Sequence, residues 1–117
     1  MAAAPERLSR RSRALVERSD SELFLSSASA WEIAIKYSTG KLRLLEPPSE
    51  YVPSCLKRLR IAVLPVELAH GLRVATLPLH HRDPFDRLLI AQAQIEDLTI
   101  LTADPLFASY DVRTIAA

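Results

Sequence analysis

Apolar residues fall into short runs that are separated by longer stretches with helical spacing. The runs at residues 23–25, 61–64, 99–101 and 112–115 are three or four residues long and predict buried strands. The stretches between them place apolar residues about three or four positions apart, which predicts helices. This alternation of helices and short strands indicates a parallel α/β architecture.

Serine, glycine and proline predict where several of these elements begin and end. Residues 26–29 offer serine N-caps for a helix that Gly40 terminates. Prolines punctuate residues 42–53, which predicts a connection leading to a helix that contains Cys55. A further helix is predicted over residues 67–75.

The clearest helix follows a loop that is predicted over residues 77–82. Asp83 as an N-cap and Pro84 in the first turn form a strong start signal, and Phe85 opens an apolar side of this helix. A short helical turn is predicted over residues 105–110, before the last strand.

Charge is balanced over the chain and concentrated near its beginning. The 15 Lys and Arg residues and 14 Asp and Glu residues give a net charge of +1, which neither favours nor excludes a polyanionic partner. Over residues 5–18, Leu8 and Leu15 lie among arginines, which predicts a basic amphipathic helix. A solvated helix face is the ordinary explanation of such arginines, and contact with nucleic acid is the alternative.

Length and composition favour one globular domain over residues 1–117. Hydrophobic residues make up 49% and charged residues 25% of the chain, values that are ordinary for a folded domain. Cys55 is the only cysteine, which excludes an internal disulfide and fits a reducing cytoplasm. No apolar run approaches the roughly 18 residues of a membrane span. We therefore expect a cytoplasmic protein without a membrane anchor.

Three carboxylates stand where an apolar strand gives way to a loop or a helix. Glu32, Asp86 and Asp104 occupy such positions, and sites in parallel sheets gather beyond the carboxyl ends of the strands. Carboxylates that a fold brings together repel one another, so a divalent cation usually neutralises them. The sequence therefore predicts a metal site.

Glu32 has a structural alternative to metal binding. Ser29 and Glu32 have the spacing of a capping box, and Glu32 with Lys36 has the spacing of a helical ion pair.

The other acidic residues also have local explanations. Asp83 and Asp86 fit the first turn of a helix, and Asp104 could start a turn before a proline. His80 and His81 are interpreted as surface-loop residues, because adjacent side chains on a loop rarely bind one ion together.

Several enzyme classes are excluded by the scarcity of glycine. With Gly40 and Gly71 alone, the chain cannot contain a phosphate-binding glycine-rich loop, a dinucleotide fingerprint or a G-x-S-x-G motif.

Four motifs in a fixed order carry a family resemblance. They are SSASAWEIAIK at residues 26–36, GKL at 40–42, HRDPFDRLLIAQA at 81–93 and LTAD at 101–104. Together they closely resemble PIN-domain proteins of the VapC toxin type, and the similarity extends from about residue 8 to residue 115.

The resemblance implies a fold, a reaction and a set of site residues. The fold is an α/β/α sandwich with a parallel sheet, in which about four carboxylates bind Mg²⁺ or Mn²⁺, and the reaction is hydrolysis of RNA phosphodiester bonds. Glu32, Asp86 and Asp104 match the family's acidic positions and are the implied metal ligands and catalytic residues. Asp83 and Lys36 are implied to support them.

The resemblance also implies partners. Arg10, Arg11, Arg82 and Arg87 are candidates for contacts with RNA phosphates. A cognate antitoxin protein and a homodimer are further expectations from the family.

One difference from the family leads to a further expectation. Related chains begin with a central strand that ends in an Asp-Thr-His or similar triplet, and this sequence begins just after that place; Asp20 precedes a strand and does not replace it. Loss of one carboxylate weakens binding of the ion, so reduced or absent nuclease activity is expected. The alternatives are a silent module that binds an antitoxin-like partner and a remnant without function.

Overall fold

The computed structural model describes residues 22–116 and, through their backbone, residues 14–16. The strands are β1 (Ala14–Val16), β2 (Leu23–Ser26), β3 (Ile61–Leu64), β4 (Thr99–Thr102) and β5 (Thr114–Ala116). The α-helices are α1 (Ser27–Ser38), α2 (Pro48–Leu59), α3 (Leu68–Arg73) and α4 (Pro84–Glu96). Two 3₁₀-helices follow α3 and β4, at Val74–Thr76 and Pro105–Ser109.

The described strands form one mixed sheet in the order β3-β2-β1-β4-β5. Strands β2 and β3 are parallel, as are β4 and β5, which confirms the α/β architecture. The central strand β1 is antiparallel to both neighbours, with Leu15 opposite Phe24 of β2 and Ile100 of β4. Only residues 17–22 separate β1 from β2, and a parallel crossover needs roughly a dozen residues or more.

Two expectations from the sequence were wrong in part. Ala14–Val16 form a strand and not part of a helix over residues 5–18, because pairing on both sides satisfies the backbone groups of β2 and β4. The remaining residues of that predicted helix, 5–13 and 17–18, lie outside the part of the chain that the structure describes. The proline-rich connection is shorter than predicted, since α2 begins at Pro48, where the first turn tolerates proline, and contains Pro53.

The remaining helix ends follow the predicted signals. The Ser26 hydroxyl accepts a hydrogen bond from the Ala28 amide at 3.1 Å and caps α1. Gly40, with a φ of 78°, follows the end of α1 in the left-handed region that favours glycine. The Asp83 carboxylate accepts from the amides of Phe85 and Asp86 at 2.8 and 3.4 Å, so α4 is capped as expected.

The larger core cluster lies around α4. Ile90 and Ala91 of this helix are fully buried, as are Ile100 of β4 and Phe107 of the following 3₁₀-helix. This packing fixes the first turn of α4 relative to the end of β4. Both positions carry predicted site residues.

A smaller core cluster joins α1 to α2. It consists of Ile33, Leu42, Tyr51 and Cys55, each at most 5% exposed. Cys55 is therefore a packing residue, as the sequence suggested.

The described helices are too short or too polar to cross a bilayer. Within residues 22–116, none of them combines the length and the hydropathy needed to span a membrane.

Candidate metal centre

Asp86 and Asp104 are brought together from two different elements. Asp86 lies in the first turn of α4 and is 4% exposed. Asp104 lies two residues after the end of β4, where its Oδ1 accepts from the Leu106 amide at 2.9 Å and caps the 3₁₀-helix. The turn-starting role expected for Asp104 is thus confirmed, and it leaves Oδ2 facing another group.

That group is the imidazole of His81. Its Nε2 atom lies 3.1 Å from Oδ2 of Asp86 and 2.9 Å from Oδ2 of Asp104. These three ligand atoms all lie within 4.8 Å of one another. Two carboxylates and one imidazole therefore converge on a single point.

His81 is fixed from several sides. Its Nδ1 accepts from the Asp83 amide at 3.2 Å, and its ring meets the Phe107 ring edge to face, with centroids 5.7 Å apart. The backbone amide of His81 donates to the Tyr110 hydroxyl at 2.8 Å. The surface-loop interpretation holds for exposed His80 and is wrong for His81, whose side chain is only 11% exposed.

Arg87 stabilises the loop that carries His81. Its guanidinium donates to four backbone carbonyls at 3.0 to 3.4 Å, those of Val74, Leu77, Pro78 and His81. It also lies 3.4 Å from the Tyr110 hydroxyl, which donates to the Pro78 carbonyl at 2.8 Å. The structure places the Arg87 side chain inside this network, so its charge faces the protein's own carbonyls.

Glu32 lines a cleft that also contains Asp83, the N-cap residue of α4. It is 7% exposed in the second turn of α1, where it lines an open cleft of about 460 Å³. The cleft is also lined by Ile35, Lys36, Arg82, Asp83, Pro84 and Phe85. Asp83 connects the two places, because its amide donates to His81 and the residue also lines the cleft.

The position of α1 rules out one alternative for Glu32. Ser26 is the N-cap of this helix, so Ser29 lies inside the first turn and the predicted capping box is wrong. Trp31, which precedes Glu32, meets Phe85 edge to face at 5.1 Å and places α1 against the start of α4.

The predicted site residues therefore divide into three sets. Asp86 and Asp104 converge on His81, and the predicted set at the cleft comprises Glu32, Asp83, Lys36 and Arg82. Arg87 stabilises the neighbouring loop. Arg10 and Arg11 lie outside the described residues.

His81 is the residue that sequence reasoning missed. The available signal was its place at the start of the HRDPFDR motif, two positions before the helix cap. Local spacing could not show that it contacts Asp104, because that contact depends on how β4 packs beside α4.

A second group, Glu67, His70 and Glu96, also has ligand atoms within 4.8 Å of one another. The Glu67 amide donates to Nδ1 of His70 at 2.9 Å, and Nε2 of His70 lies 2.8 Å from Oε2 of Glu96. Both ring nitrogens are thus used in joining α3 to α4. We assign this group a structural role.

The amino-acid sequence matches the model of a known protein family. The model of the PIN domain matches residues 2–113. The chain belongs to the PIN-domain family. The resemblance of the four motifs is thereby confirmed.

One relative of this PIN domain is Ribonuclease VapC16 of Mycobacterium tuberculosis (strain H37Rv). The two chains are 47% identical over 58 residues, which cover 50% of this chain and 41% of the relative. The match thus spans about two fifths of that protein's length and supports a VapC-type PIN domain. No solved structure matches this chain with significance.

The converging residues of this PIN domain fit a divalent cation. Asp86 and Asp104 each present one carboxylate oxygen to the same point, and oxygen is the ligand that Mg²⁺ and Mn²⁺ prefer. Asp86 is buried and Asp104 is partly buried, which strengthens the attraction, since charges in a protein interior are screened less than charges in water. This group could therefore hold a divalent metal ion.

Proposed function

We propose that this PIN domain is a metal-dependent endoribonuclease toxin of the VapC type, which hydrolyses RNA phosphodiester bonds. The observation that carries the proposal is the convergence of Asp86 and Asp104 at the start of α4 and the end of β4. The family match over residues 2–113 supports it and is consistent with one domain over residues 1–117.

The proposed ligands of the ion are Asp86 and Asp104, with Glu32 acting from the adjoining cleft. Mg²⁺ retains several waters, so Glu32 and Asp83 can act on the ion through bound water. When bound, the ion would neutralise the carboxylates and the phosphate and supply a more acidic water as nucleophile.

The proposed binding route for RNA is the cleft beside the carboxylates. Lys36 and Arg82 line it together with Glu32, so two cationic side chains lie where phosphates of a bound strand would pass. Such contacts position a strand without reading its bases. Arg10 and Arg11 remain proposed RNA contacts, whereas Arg87 is given a stabilising role.

The proposed biological setting is a toxin-antitoxin pair in the cytoplasm. The name of the relative, a VapC ribonuclease, supports an RNA substrate, and the VapC family supports an antitoxin protein and a homodimer as partners. The single buried Cys55 is consistent with a reducing compartment.

The test uses the purified chain, single-stranded RNA and Mn²⁺ or Mg²⁺, with chelator as the metal-free condition. Any cleavage should require metal and should fall by at least about 100-fold in Asp86→Asn and in Asp104→Asn, because each change removes a charged ligand. Asp97→Asn is the matched control, since the Asp97 side chain is 87% exposed and away from the site.

The outcomes separate the competing functions. Cleavage that persists in chelator, or that survives in both ligand variants, would contradict the proposal. Metal binding without cleavage would instead favour a module that only binds an antitoxin-like partner.

A further inference from the structure

One nitrogen atom contacts both carboxylates of the proposed metal centre. Nε2 of His81 lies within hydrogen-bonding distance of Asp86 and Asp104, which belong to different elements. We infer that His81 is a positioning residue whose Nε2–H group keeps Asp86 and Asp104 paired for a divalent cation. This inference rests on the proposed function.

The hydrogen bond on the other side of the ring identifies the donor. Nδ1 of His81 accepts the backbone N–H of Asp83 at 3.2 Å, and a nitrogen that accepts cannot carry the ring proton of a neutral imidazole. The proton therefore lies on Nε2, between Asp86 and Asp104. His81 donates to the carboxylates and has no lone pair directed at them.

This arrangement offsets the repulsion between the two carboxylates. Oδ2 of Asp86 and Oδ2 of Asp104 would otherwise face each other in a partly buried place, where like charges repel more strongly than in water. A shared N–H donor gives both oxygens a favourable partner. The pair can then exist at short separation before a cation arrives.

The rest of the environment makes His81 a rigid donor. The fully buried Phe107 ring lies against the imidazole, while Tyr110 and Arg87 bind the His81 backbone. Asp104 is held at its other oxygen by the Leu106 amide, so its Oδ2 can turn little. Partners of this kind, which orient metal ligands, typically contribute 10–100-fold to metal affinity.

The geometry also argues against His81 as a direct ligand. Coordination through Nε2 would require the proton to leave that nitrogen, and a proton moved to Nδ1 would oppose the Asp83 N–H. A hydrogen-bond donor and a direct metal ligand can be told apart by substitution. A side chain that donates an N–H from the position of Nε2 but has no imidazole lone pair should keep the first role and lose the second.

The experiment measures Mn²⁺ affinity by calorimetry without RNA, in the full chain and in variants with matched reach. Glutamine can place an amide N–H near the position of Nε2, whereas asparagine reaches only the position of Nδ1 and can still accept from Asp83. We expect His81→Asn to weaken Mn²⁺ binding about 10–100-fold and His81→Gln to stay within about 3-fold of the original chain. Asp97→Asn is the control and should bind Mn²⁺ unchanged, because Asp97 follows the far end of α4 and its side chain is 87% exposed.

Thermal unfolding of each variant accompanies the titration, and His81→Asn is chosen because its side chain can still accept the Asp83 N–H. Equal or tighter Mn²⁺ binding by folded His81→Asn would overturn the inference, since the N–H would then compete with the ion. Equal losses in His81→Gln and His81→Asn would overturn it in favour of a direct imidazole ligand. A chain that binds no Mn²⁺ at all would refute the proposed metal centre itself, which distinguishes the two failures.

Discussion

A single arginine determines the shape of the loop before α4. The guanidinium of Arg87 donates to four backbone carbonyls between residues 74 and 81. Five N–H donors in a planar fork can serve several acceptors at once, and a lysine ammonium cannot reproduce that geometry. Arg87 therefore has a structural task within a motif that suggested contact with RNA.

Substitution of Arg87 should destabilise the fold even when the charge is kept. We expect Arg87→Lys and Arg87→Met each to lower the free energy of unfolding by roughly 1.5–3 kcal/mol, because several partly buried carbonyls lose charged donors. Urea denaturation measures the change. Arg82→Lys, at the exposed neighbouring arginine, should stay within about 0.5 kcal/mol, and a similarly small change for Arg87→Met would contradict the assigned role.

Sequence reasoning at the scale of single residues reached part of the site. Asp86 and Asp104 were recognised because each follows an apolar strand or starts a helix, and these local features survive folding. The contact of His81 with Asp104 spans 23 positions, so no local pattern encodes it. Glu32 was expected beside the other carboxylates; it lines the cleft that also contains Asp83, and its part in the site stays a prediction.

The two glycines show that the backbone conformation at a helix end differs from that inside a helix. Gly40 follows α1 with a φ of 78°, whereas Gly71 lies inside α3 without a left-handed φ. Apart from the adjoining residues and the backbone of the same helix, an added Cβ would meet no atom within 4 Å at either position. Backbone conformation alone therefore decides the effect of a substitution.

The paired substitutions should have opposite signs. We expect Gly40→Ala to destabilise the chain by roughly 1 kcal/mol, since L-residues avoid the left-handed region, and Gly71→Ala to stabilise it by roughly 0.5–1 kcal/mol. Thermal unfolding of the two variants measures the difference. A stabilising Gly40→Ala would show that residue 40 adopts another conformation.

At the scale of elements, periodicity and punctuation predicted most helices and strands. They failed at β1, because the apolar residues 14–16 fit a sparse helical stripe as well as a strand. Its role as a strand depends on the open edges of β2 and β4, which are formed by residues distant in sequence. Its antiparallel direction depends on the short connection to β2.

At the scale of the whole molecule, the proposed metal centre exists only in the folded state. Its ligands come from α4 and from the segment after β4, and they converge through the core around Ile90, Ile100 and Phe107. An ion that binds the folded chain alone stabilises it by mass action.

Mn²⁺ should therefore raise the midpoint of thermal unfolding. At a concentration about 100 times its Kd, the expected stabilisation is about 2.7 kcal/mol, which corresponds to an increase on the order of 10 °C for a domain of this size. Scanning calorimetry with and without Mn²⁺ measures the shift. The double variant Asp86→Asn/Asp104→Asn should show none, and an equal shift in that variant would locate the ion elsewhere.

The small core cluster between α1 and α2 supplies a built-in reporter of local motion. Cys55 is the sole thiol of the chain and is 3% exposed against Ile33, the residue that follows Glu32. A thiol-specific reagent can reach its sulfur only when α2 separates from α1. The labelling rate in native buffer thus measures how often this side of the domain opens, without introducing any new cysteine.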